Sequence, residues 1–72
     1  MIKIVIDEKT RHGKPIIEGT RITVDEVLGM LKGGMTYEEI AKEYGLKRQH
    51  ILAVINYAAS FVSGEEVYRV HA

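Results

Sequence analysis

Along this chain the spacing of apolar positions changes once, from every second residue to the spacing of a helix. Ile2, Ile4 and Ile6 alternate with Lys3 and Val5, which predicts a strand of about five residues. Asp7 to Lys14 is polar and carries Gly13, as a connecting loop would. Pro15-Ile16-Ile17 reads as extended, because proline fixes φ and cannot donate to a central ladder. Gly19-Thr20 predicts a turn or bulge, and Arg21-Ile22 leads into the first helix. A hairpin or a pair of short strands therefore precedes the helices, paired within the chain or with a second copy of it.

Helical spacing starts at Thr23. This residue is a good N-cap, and Glu26 completes a capping box. Val24, Val27, Leu28 and Leu31 give one apolar face, and Gly33-Gly34 ends the helix. The signature repeats at Thr36 and Glu39, where Met35 and Ile40 are placed to form a hydrophobic staple. Tyr44 closes this second helix before Gly45, a residue suited to the left-handed conformation. Ala41 is small where two helices would cross, and Ile40, Leu46, Ile51 and Val54 fall on inward faces. The stretch Thr36 to Tyr57 thus has the layout of a helix-turn-helix.

The third helix is predicted from about Lys47 to Ser63, with Gly64 as its stop. Lys47 stands where Ser, Thr or Asp would cap it, and its charge opposes the helix dipole. Each departure costs a few tenths of a kcal/mol to about 1 kcal/mol. With no compensation visible in the sequence, the departure supports an anion contact. From Ile51 to Val62 the helix is apolar on nearly all sides, which calls for neighbours beyond a small domain. Ile55, Tyr57, Phe61 and Val62 are accordingly candidates for a partner or dimer interface, together with Ile2 and Ile4 of the arm. The tail, Glu65 to Ala72, has a brief apolar patch that includes Tyr68 and reads as a short strand or an arm that orders on a partner.

Composition adds limits. Seventy-two residues make one domain: a strand arm over 1–22, three helices over 23–63 and a tail over 64–72. An apolar fraction of 46% argues against disorder, and in so short a chain it favours a homodimer or a heterocomplex. No cysteine is present to form a disulfide or a cysteine zinc site. No apolar run reaches the roughly 20 residues of a membrane span, and the start lacks a signal-peptide layout. A soluble, cytoplasmic protein is expected.

Ten basic and ten acidic residues cancel, but they are unevenly placed. Residues 1–22 carry five basic and three acidic side chains, 23–46 carry two and five, and 47–63 carry two and none. This distribution fits either a local DNA contact at the start of the third helix or an ordinary mixed surface. If DNA is bound, Lys47 and Arg48 suit phosphates or guanine edges, Gln49 suits adenine, and His50, Ala53 and Asn56 follow along the groove side. The competing reading is a plain helical hairpin.

Other chemistry finds little footing. His12, His50 and His71 are scattered and have no carboxylate at ligand spacing, so neither a metal nor another cofactor is expected. Gly13-Lys14 lacks the rest of a phosphate loop. Asp25-Glu26 and Glu38-Glu39 are first-turn residues that complement helix dipoles. No nucleophile-base-acid arrangement supports an enzyme.

The stretch from Gly13 to Val24, G-K-P-I-I-E-G-T-R-I-T-V, resembles the signature of a family of short prokaryotic proteins catalogued as domain of unknown function four-three-three. Gly34 to Ile40, G-M-T-Y-E-E-I, matches the segment that follows in that family. The likeness covers about residues 11 to 60, with Gly13, Pro15, Gly19, Thr20 and Arg21 as its distinctive element. It implies a homeodomain-like fold and an antitoxin that binds and silences a small PIN-like ribonuclease toxin encoded beside it. Family members usually have tyrosine, proline and a Leu-Thr pair before an acidic third helix, whereas Tyr44 to His50 here is shorter and basic. Arg21 is expected to tie the strands to the helices through a carboxylate such as Glu26 or Glu39, the alternative being a direct ligand role.

The expected fold is mainly α: a three-helix, homeodomain-like helix-turn-helix with an N-terminal β-strand pair, dimeric. The expected function is an antitoxin that also represses its own operon. A stand-alone helix-turn-helix regulator and a structural dimerisation module are the alternatives.

Overall fold

The computed structural model describes residues 2–63. Tyr68, expected at a partner interface, lies outside the described residues, as do His71 and the tail. Two strands and three helices follow in order: β1 (Ile4–Ile6), β2 (Pro15–Ile17), α1 (Val24–Lys32), α2 (Tyr37–Tyr44) and α3 (Arg48–Ser63).

The strands form an antiparallel pair within the chain, with Ile4 opposite Ile17, Val5 opposite Ile16 and Ile6 opposite Pro15. β1 is shorter than the five residues that the alternation suggested. At its far end Ile6 faces Pro15, which has no N–H to extend the ladder, and the Ile6 side chain turns into solvent. Ile2 and Ile4 pack against the core.

The connection is tighter than a plain polar loop. Asp7 accepts from the Lys9 backbone N–H at 3.0 Å and from the Thr10 hydroxyl at 3.2 Å. A turn at Arg11–Gly13 follows, in which φ is positive at Arg11 (55°), His12 (58°) and Gly13 (77°). Two non-glycine residues in the left-handed region cost about 1–2 kcal/mol each, so other contacts must hold this turn.

Both capping boxes are formed. The Thr23 hydroxyl accepts from the Glu26 backbone N–H and the Glu26 carboxylate accepts from the Thr23 backbone N–H; Thr36 and Glu39 repeat the pair. Each of these helices ends on a left-handed glycine, Gly34 (φ 93°) after α1 and Gly45 (φ 67°) after α2. There the next N–H reaches back five residues, Met35 to the Met30 carbonyl and Leu46 to the Ala41 carbonyl. A Cβ at either position would be strained by the backbone angle alone.

The core is one cluster of Ile17, Val24, Val27, Ile40, Leu46, Ile51 and Val54. Every element contributes to it except β1, whose Ile4 packs on its edge. α1 and α3 each touch three other elements, α1 lying against β2, α2 and α3, and α3 against β1, α1 and α2. No helix among the described residues is long and apolar enough to cross a membrane.

Candidate functional site

Two places carry the sequence-derived candidates: the signature turn between β2 and α1, and the start and outer face of α3.

In the turn, nearly every signature residue has a structural task. Pro15 opens β2, and Gly19 takes a φ of 82°. The Thr20 hydroxyl donates to the Ile17 carbonyl at 2.8 Å and accepts from the Ile22 N–H at 3.0 Å. The Ile17 N–H in turn donates to the Ile22 carbonyl at 3.0 Å, so the chain folds back on β2 before α1 begins. Thr23, 1% exposed, is thereby held beside Ile16.

Arg21 is the exception, and the expected tie is made by another arginine. Arg11 donates from Nη1 to Glu26 Oε1 at 2.6 Å and to the Arg21 backbone carbonyl at 2.9 Å. The left-handed turn at 11–13 brings this side chain over the start of α1. The Arg21 guanidinium is exposed and meets no carboxylate among the described residues. The carboxyl of Glu26 is held below the ordinary glutamate range. The Thr23 backbone N–H is the largest cause, with the Thr23 hydroxyl and Arg11 adding to it against a partial burial effect. Glu39 is lowered as well, chiefly by the Thr36 backbone N–H.

At the start of α3 one half of a capping box is present. The Lys47 backbone N–H donates to His50 Nδ1 at 2.9 Å. His50 sits three residues into the helix and does there what Glu26 and Glu39 do in the first two. The start of α3 is thus partly compensated, while Lys47 and Arg48 still stand at the positive end of the helix dipole. The signal was in the sequence, since any acceptor at that position can reach back, and histidine is one.

Arg48 is engaged within the chain too, its guanidinium lying 5.1 Å from the centroid of the Tyr37 ring. An exposed stack of this kind stabilises by about 0.5–1 kcal/mol and ties the start of α3 to that of α2. Lys47, Gln49 and Asn56 are exposed, and His50 is half-buried. Of the interface candidates, Ile2, Ile4, Ile55 and Tyr57 are partly buried against the core, whereas Phe61 and Val62 are 57% and 64% exposed. Tyr57 also meets Phe61 edge to face at 5.0 Å. The structure thus divides the apolar circumference of α3, with one side spent on the domain itself. Gln49, Leu52, Ala53 and Asn56, together with Ile2, line a shallow groove of about 430 Å³ on its outer side.

This arrangement has known relatives. The family described as "Protein of unknown function (DUF433)" matches residues 4–58. The chain belongs to the DUF433 family. Over 43 residues it is 35% identical to a Mycobacterium tuberculosis H37Rv protein named "Putative antitoxin VapB45", a match that takes in 60% of this chain and 18% of that protein. The crystal structure of Rv2018 from Mycobacterium tuberculosis superposes with a TM-score of 0.65 at 29% identity, over 72% of this chain and 24% of the other. The chain therefore spans about a fifth to a quarter of the length of these relatives. The signature that the sequence carries at 13–24 and 34–40 lies wholly within the family match.

Proposed function

We propose that this DUF433 chain is the antitoxin of a type II toxin–antitoxin pair, a binding protein that occupies and neutralises a PIN-like ribonuclease. The observation that carries this reading is the 35% identity with the protein named "Putative antitoxin VapB45", over 60% of this chain. The Arg21 guanidinium supports it. It belongs to the distinctive signature, stands in solvent and has no structural partner among the described residues, so it is available to an acidic partner. The test is co-expression with the product of the adjacent reading frame. The expected result is a complex that co-purifies and suppresses RNA cleavage, with Arg21→Ala weakening it while leaving the fold unchanged. A neighbouring nuclease that cleaves RNA equally well with and without this chain would refute the reading.

Repression of the antitoxin's own operon is a second reading, favoured by one observation. Gln49, Leu52, Ala53 and Asn56 share the spacing with which the third helix of a homeodomain reads bases, and Lys47 is exposed at the helix start to meet phosphate. A gel shift on the upstream operator should weaken strongly when Lys47 and Arg48 are both replaced by alanine. Binding that is unchanged removes this activity.

A further inference from the structure

Arg11 holds the backbone of the very residue whose side chain stands free. Its Nη1 reaches two acceptors, Glu26 Oε1 at 2.6 Å and the Arg21 carbonyl at 2.9 Å. The same Glu26 oxygen accepts from the Thr23 backbone N–H at 3.1 Å and from the Thr23 hydroxyl at 3.0 Å. Thr23 is buried, so this oxygen fastens Arg11 to the first turn of α1. Arg21 is then fixed from both sides. Arg11 holds its carbonyl, and the Thr20 hydroxyl accepts from the N–H of the next residue, Ile22, at 3.0 Å.

This grip is reached through the positive φ of Arg11 and His12, a conformation that L side chains rarely adopt. The ion pair it secures is open to water, its side chains 36% and 43% exposed, and pairs so placed add little stability. Strain with so small a return points to a task beyond fastening the loop.

We propose that Arg11 is the positioning residue for Arg21. Held by the Glu26 carboxylate, it sets the backbone from which the Arg21 guanidinium meets an acidic side chain of the partner protein. The proposal rests on the reading of this chain as an antitoxin. A guanidinium grips a carboxylate through two parallel N–H bonds, so its direction counts as well as its charge. A backbone fixed before the encounter has less freedom to lose on binding, which raises affinity without a new contact. Arg11 acts through Arg21 and stays within its own chain.

Charge alone predicts the opposite result at Glu26. Glu26→Gln removes a negative charge from this corner, so simple attraction would tighten the hold on an acidic partner. Glutamine can still complete the capping box, but it offers Arg11 a neutral acceptor in place of a carboxylate. Positioning therefore predicts weaker binding.

Two measurements on this chain test the proposal. The carbonyl that Arg11 holds belongs to the Arg21–Ile22 peptide, which trypsin can cleave. In the free protein, cleavage there should speed up severalfold in Arg11→Ala and less in Glu26→Gln, while cleavage after Lys42 in α2 keeps its rate. In the complex with the product of the adjacent reading frame, Arg11→Ala should weaken binding by about tenfold and Glu26→Gln by a smaller factor. Neither change should matter once Arg21→Ala is present. A complex as tight with Arg11→Ala as with the unmodified chain overturns the positioning role and leaves the antitoxin reading standing. Tighter binding by Glu26→Gln overturns it in the same way, as does unchanged cleavage after Arg21 in both variants. If the unmodified chain itself forms no complex, the antitoxin reading is refuted and the proposal falls with it.

Discussion

The starts of the first two helices and the start of the third solve one physical problem with different residues. Each leaves backbone N–H groups without partners inside the helix. At α1 and α2 a threonine and a glutamate answer each other, and acidic residues fill the first turn. At α3 the first turn has no acidic residue, and a histidine reaches back to the backbone of a lysine. The first arrangement places negative charge at the positive end of the helix dipole, whereas the second leaves the basic side chains of Lys47 and Arg48 there. A back-reaching acceptor and a cationic surface coexist at α3 because the acceptor is an imidazole rather than a carboxylate. Basic character at a helix start is therefore no sign by itself that the start is uncapped.

The comparison implies that α3 is held by packing more than by its start, and its strongest test is in the core. Ile51 sits in the first turns of α3, fully buried against Ile40 and Val27 in one cluster. Ile51→Ala should cost about 2–5 kcal/mol, more than any change at a cap, as read from urea unfolding midpoints. A smaller loss than at the caps would reverse the ranking.

Next come the boxes themselves. Thr23→Ala should cost about 1–2 kcal/mol and Thr36→Ala about 0.5–1 kcal/mol, the difference reflecting the burial of Thr23. Acid sharpens the contrast with α3. Glu26 and Glu39 have folded values below the ordinary ones, so their contribution is present in full above the unfolded glutamate value of about 4.3. It is lost as the pH falls through the folded values. Unfolding midpoints measured from neutral pH down to about pH 3 should therefore drop, and Glu26→Gln should flatten part of that fall.

The smallest effect belongs to α3. His50→Ala should cost under about 1 kcal/mol in the same unfolding assay, and His50→Gln should recover part of it, because a glutamine at that position can also reach back. A loss as large as that of Thr23→Ala would mean that the three starts are equivalent after all.

The contacts that the sequence made legible are short in range. Capping boxes, glycine stops and the two-to-helical change of period depend on residues three to five apart, so composition at fixed offsets suffices to place α1, α2 and the turn at Gly45. The bond from the Lys47 N–H to His50 is within the same range, but histidine at that offset is a weaker sequence signal than glutamate or glutamine. Other features join residues far apart, and only the folded chain decides them. Glu26 is paired with Arg11 rather than Arg21, since a left-handed turn at 11–13 swings one side chain over α1 while the fold-back at Gly19-Thr20 directs the other outward. Sequence alone also determined that α3 is apolar on nearly every side. Packing against α1, α2 and β1 decided which side is spent: it buries Ile51 and Val54, half-covers Ile55 and Tyr57, and leaves Leu52 with its two flanking amides in the open. A helix's own period says which residues share a face, but the direction each face looks is set by the elements that come to lie against it.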